Sequence, residues 1–286
     1  MPLEMSLEKL AIRAKMRMIK LFCKLPFVES PLPKDPFGKA VWTTKEKYLE
    51  IHLEAISKKD FQVNDFENEY GFSVDEKWFN ELALHTQACL KKSELNYNHG
   101  KLLYSLLSNY LNNRESNNNL PINIIETGTA RGFSSICMSR ALIDNKVNGR
   151  IITIDCIAHN EKMLWNCIDD IEGPKRRSEL LDPWINELSN ILFIQGWTEE
   201  MIYKLGLNRI NFAFLDAQHT EKNVLHEFKY VADRQIKGDI IFFDDVTPDK
   251  FPGVCDAIDH IEKNHSYKIR RLPFSKDRSY AIAERI

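Results

Sequence analysis

The 286 residues include 39 Lys and Arg against 41 Asp and Glu, a formal net charge of -2, with 43% hydrophobic and 28% charged residues. That balance excludes a polycationic nucleic-acid binder, and no run reaches the roughly 18 to 20 apolar residues of a membrane span. The first 25 residues alternate basic with apolar positions instead of forming a signal-peptide core, so a cytoplasmic protein is expected, and the length suits one large domain or one domain with an appendage. The six cysteines lie far apart without a CxxC pair, which reads as reduced thiols.

In chain order, Leu3, Leu7, Leu10, Ala14, Met18, Leu21 and Leu25 form one helical stripe closed by Pro26. Lys9, Arg13, Arg17, Lys20 and Lys24 run opposite it. Such a helix is expected to dock on its own domain or on a second subunit, giving a homo-oligomer; peripheral contact of residues 1–25 with an anionic membrane is the alternative. A proline-rich linker spans 29–38, and helices fit 43–58, 75–91 and 99–112. The polar run from Asn112 to Asn119, ending at Pro121, separates a helical region, 1–117, from a second domain, 118–286.

Beyond that boundary short β-rich runs alternate with helical segments, the pattern of a parallel sheet with crossover helices. Strands are expected over 122–126, 150–155, 191–195, 210–216 and 239–244. Two more, 267–272 and 279–284, have only a loop between them, so the last should run antiparallel. The fold class is therefore α/β, a doubly wound, seven-stranded, mostly parallel sheet. Ligands collect at the carboxyl ends of such strands, where Glu126, Asp155, Gln195, Asp216 and Asp244 fall.

The segment from Ile124 to Ser135 reads as a strand, a glycine turn and a helix start, with Gly128 and Gly132 in a GxxxG spacing. A dinucleotide site would show GxGxxG. Asp155, 23 residues past Gly132, suits a ribose diol, so a nucleoside without a pyrophosphate fits better. These residues resemble the class I S-adenosylmethionine (SAM)-dependent methyltransferases, in particular the metal-dependent O-methyltransferases of the catechol, caffeoyl-CoA and macrocin types. The segment from Glu126 to Ser135 is similar to that family's first motif, and 152–155 to its second. From residue 121 to the C-terminus the motifs keep the family's order and elements. The resemblance implies that Glu126, Gly128, Thr129, Gly132 and Ser134 hold the methionine end of SAM, Asp155 the ribose, and Gly196, Trp197 and Thr198 the adenine region, with Asp216 also at the cofactor. Trp197 as a core residue is the other reading.

Asp216, Asp244 and Asp245 close two neighbouring strands, and like charges gathered there repel unless a cation sits among them. Mg²⁺ or another divalent ion with oxygen ligands is the expectation, with turn-capping aspartates as the alternative. His219 lies three residues past Asp216, where the catechol-type enzymes carry a catalytic Lys, and is expected to serve as the base; a helix-capping or solvent-facing histidine is the alternative. The macrocin-type enzymes place an acidic residue where this chain has Gln218. Between the second and third strands, Lys175, Arg176 and Arg177 are read either as a lid holding a phosphate or carboxylate of the acceptor or as a solvated charge run. The expected activity is methyl transfer to a hydroxyl of a sugar or other small polar metabolite, without nucleic acid. Its rivals are a NAD-dependent oxidoreductase or oxygenase, and a non-catalytic nucleotide-binding or membrane-associated scaffold.

Overall fold

Runs such as Ile122–Thr127 and Gly149–Asp155 are apolar on both faces, which forces a sheet to be covered on both sides. The computed structural model describes residues 32–58, 60–92, 95–114, 121–275 and 278–286. The helix expected over residues 1–25, the start of the proline-rich linker and the end of the polar boundary run lie outside them. The chain divides into two units, Met1–Leu32 and Pro33–Ile286, and every element below belongs to the second.

Seven strands, β1 (Ile122–Thr127), β2 (Gly149–Asp155), β3 (Ile191–Gln195), β4 (Phe212–Leu215), β5 (Ile240–Phe243), β6 (Tyr267–Ser275) and β7 (Arg278–Arg285), form one sheet in the order β3-β2-β1-β4-β5-β7-β6. β1 to β5 pair in parallel, and β7 is antiparallel to both β5 and β6. All seven lie within a few residues of their expected positions. Because β7 pairs Ala281 with Phe243, its first residue, Arg278, starts at the edge where the parallel strands end.

The principal helices are α1 (Lys45–Ser57), α2 (Phe61–Tyr70), α3 (Glu76–Thr86), α4 (His99–Asn113), α5 (Phe133–Asp144), α6 (Glu221–Ala232) and α7 (Pro252–Asn264). Ile124, Ile151, Phe212, Phe214 and Phe242 face one core, shared with residues of α2 to α5. Ile125, Ile152, Ile154, Leu215 and Phe243 face the other, under α6 and α7. α2 went unpredicted, although Asp60 caps its first turn through Gln62 and Val63 and Gly71 ends it at φ 80°. α3 stops at Thr86 instead of 91 because the Asn166 amide pairs with both backbone groups of Leu90, at 3.1 and 2.8 Å, and holds that stretch extended. Among the described residues no helix is long and apolar enough to cross a membrane, and the five described cysteines are free.

Candidate active site

The turn after β1 passes through three left-handed residues, Gly128 (φ 86°), Ala130 (φ 46°) and Gly132 (φ 92°), before α5 begins. A Cβ on Gly128 would stand 2.2 Å from the carbonyl oxygen of Asp216, so only glycine lets this turn rest on the end of β4. Thr129 is buried and its hydroxyl meets that of Thr153 at 2.5 Å. Glu126 is fully buried, its two oxygens taken by the hydroxyls of Ser134 and Ser135, and burial pushes its pKa up to about 7. Glu126 and Ser134, expected at the cofactor, thus tie β1 to the first turn of α5.

Asp155 ends β2 and is 7% exposed. Its Oδ2 accepts the Ala130 N–H at 2.5 Å and its Oδ1 the Ile157 N–H at 2.8 Å. A carboxylate oxygen has two lone pairs, so these two amides leave the group able to accept from a diol. The turn after β3 lies alongside: the N–H of buried Gly196 donates to the Asp155 carbonyl at 2.8 Å, Trp197 is half-buried, and buried Thr198 opens a helical turn. Seven of the cofactor residues expected from sequence, Gly128, Thr129, Gly132, Asp155, Gly196, Trp197 and Thr198, therefore surround one stretch of the carboxyl edge.

The acidic cluster sits at the ends of β4 and β5. Asp245 has φ 56°, a conformation Asp tolerates better than most residues, and this turns its side chain back toward β4. His219 Nε2 lies 2.9 Å from Asp245 Oδ2 and 3.9 Å from Asp216 Oδ1 without an aligned hydrogen bond, and its ring packs on Phe251. Asp216, His219 and Asp245 each offer a ligand atom within 4.8 Å of the other two, which suits a divalent cation. Asp216 and Asp245 raise the imidazole to about 10, and burial raises Asp216. Asp244, expected as the third carboxylate ligand, is 2% exposed and turns to Arg278 Nη2 at 3.0 Å, while its Oδ1 accepts the Asp245 N–H. The gathered donors are thus two carboxylates and an imidazole.

Sequence reading missed Arg278 and His99. The Arg278 guanidinium spans Asp244, Asp245 at 3.4 Å and His99 Nδ1 at 3.4 Å, and burial beside Arg278 holds His99 well below its usual pKa, so the neutral ring accepts. An antiparallel last strand was expected, and that topology alone brings Arg278 to the carboxyl edge; the place of His99 at the start of α4 had no comparable signal. The basic triplet is not a free patch: Lys175 pairs with Asp169 and Glu172, Arg176 with Glu179, and Arg177 is 1% exposed. Gln218 binds Glu199 and Asn223, and Thr220, not His219, caps α6.

Below the site, the hydroxyl of Thr127 donates to Glu227 at 2.7 Å, and burial pushes this carboxyl up to about 8. A carboxyl whose folded pKa exceeds its unfolded value of about 4.5 contributes stability below that value and loses it as pH rises through the folded pKa. Glu227→Gln should therefore raise Tm at about pH 8.5 by roughly 2–6 °C and leave it unchanged near pH 4, as thermal melts across that range would show.

Residues 125–246 match a family model described as a methyltransferase domain. No curated protein matches the sequence significantly. Among solved structures, the chain is similar to cofactor-bound Rv0187 from MTB (TM-score 0.52, 14% identity, covering 73% of this chain and 90% of that one). It is also similar to TomG from Streptomyces achromogenes, an O-methyltransferase of tomaymycin synthesis in complex with SAM (0.51, 17%, 75% and 92%), and to the O-methyltransferase NovP (0.51, 12%, 84% and 99%). Likeness at such identities is one of fold. The matched stretch, from β1 to the turn after β5, carries the methyltransferase-domain pattern on the fold that these structures share.

Proposed function

We propose that the protein moves the methyl group of SAM to a hydroxyl of a small polar acceptor, a sugar or a phosphorylated or carboxylated metabolite, with a divalent cation at the acidic cluster. The observation that carries this reading is the seating of the glycine turn on Asp216, which joins the cofactor loop to the cluster without an intervening residue. TomG and NovP, which share the fold, are both O-methyltransferases and support oxygen as the atom methylated.

In this reading Asp155 would take the ribose diol, the turn 128–132 the methionine end, and the Gly196–Thr198 turn the adenine region. Asp216, Asp245 and His219 would hold Mg²⁺ or a similar ion, which when bound orients acceptor oxygens and lowers the pKa of the one that attacks. Asp244 has the separate task of fixing Arg278. An imidazole held near 10 is already protonated at neutral pH, so His219 serves as a base only when a cation offsets the carboxylates around it. The same loss of the proton is required for His219 to act as a ligand. The helices α1 to α4 would cover the acceptor, a reading favoured by the reach of His99 to Arg278.

The test is transfer of a radiolabelled methyl group from SAM across a panel of hydroxylated sugars, polyols and phenols. Product methylated on oxygen, lost in EDTA and restored by Mg²⁺ or Mn²⁺, is expected. Full turnover in chelator would refute the metal, and a methyl group on nitrogen or carbon would refute the acceptor class.

A further inference from the structure

Arg177 opens a four-residue helical turn, Arg177–Leu180, in the stretch between β2 and β3. Its side chain turns inward between the rings of Trp165 and Phe193, 5.5 and 5.8 Å from their centroids. Nε donates to the carbonyl of Ala130 at 2.8 Å, and Nη2 lies 3.4 Å from the carbonyl of Ile157 and 3.6 Å from Asp155 Oδ2. Ala130 and Ile157 are also the two residues whose N–H groups hold the Asp155 carboxylate. Arg177 and Asp155 therefore grip the same two residues, one by their carbonyls and the other by their amides.

A guanidinium is costly to bury, and an apolar side chain would fill the space between two aromatic rings without that cost. What an apolar side chain lacks is a charge beside Asp155 and donors that reach both loops. Ala130 gains most from this, since a non-glycine residue keeps a left-handed backbone only where its surroundings enforce it. With the carboxylate plane fixed, the accepting capacity left on Asp155 has a set direction, as a ribose diol would need.

We infer that Arg177 is a positioning residue of the cofactor site, acting through Asp155 on the ribose. This rests on the reading of Asp155 as the ribose acceptor. It assigns the conspicuous basic residue of this stretch to the cofactor instead of to an anionic acceptor.

The experiment is calorimetric titration of the full chain with S-adenosylhomocysteine (SAH) and with its 2′-deoxy analogue, for the wild type, Arg177→Met and Arg177→Lys. Arg177→Met should weaken SAH by at least about tenfold and the 2′-deoxy analogue by less than about threefold, because the lost orientation matters only where both hydroxyls are present. Arg177→Lys, which keeps a charge near Asp155, should show the same ribose dependence with a smaller loss. It decides the matter if thermal melts show that the Met variant does not fold. Unchanged SAH affinity, or equal weakening of both ligands, would overturn the inference while leaving the cofactor site standing. Failure of the wild type to bind SAH would remove both.

Discussion

Asp245→Asn should fold normally yet lower turnover by about 10²–10⁴-fold, with SAH affinity within about threefold of wild type. Asn accepts the left-handed backbone of residue 245 almost as readily as Asp, so the turn after β5 keeps its course. What disappears is a negative oxygen beside His219 and Asp216. Titration with Mn²⁺ should show weaker ion binding in step with the lost activity. Asp216→Asn should behave alike with some loss of SAH affinity, since residue 216 adjoins the glycine turn and its side chain is also expected at the cofactor. A variant at 245 with wild-type turnover would take the acidic cluster out of the chemistry. Asp244→Asn is a different experiment, for it strips Arg278 of its 3.0 Å partner and tests the placement of β7's first residue.

The second large effect concerns the cofactor. Asp155→Ala removes the acceptor of two loop amides and the accepting capacity left for a diol. A charge-assisted hydrogen bond contributes about 1.5–3 kcal/mol, so SAH binding should weaken by more than about tenfold, with Asp155→Asn between the variant and wild type. Equal affinities by calorimetry would show that the ribose sits elsewhere.

The strands were legible because burial on both faces leaves near-continuous apolar runs, and the carboxyl-edge rule then pointed to Asp155, Asp216 and the Asp244-Asp245 pair from chain order alone. What could not be read depends on side chains meeting across long separations. Asn166 ending α3 early through Leu90 is one case. The turning of Asp244 away from its neighbours is another, since it follows from a register, Phe243 beside Ala281, that brings Arg278 to the edge. α2 is marked by Asp60 and Gly71 and by Val63, Phe66 and Tyr70 at helical spacing, but the stripe is only three residues long and Phe61, two before Val63 and 72% exposed, falls off it. The triplet 175–177 reads either as an anion-holding lid or as a solvated charge run, because sequence cannot show that Arg177 finds Asp155 and two carbonyls in the interior.

If the glycine turn and Asp155 form a SAM site, calorimetric titration of the full chain with SAH, beside the same titration with NAD, separates it from a dinucleotide site. Saturable binding of one SAH per chain at micromolar concentration, about -8 kcal/mol, with no comparable heat from NAD, is the expected result. Absent SAH binding, or tighter binding of NAD, would contradict it.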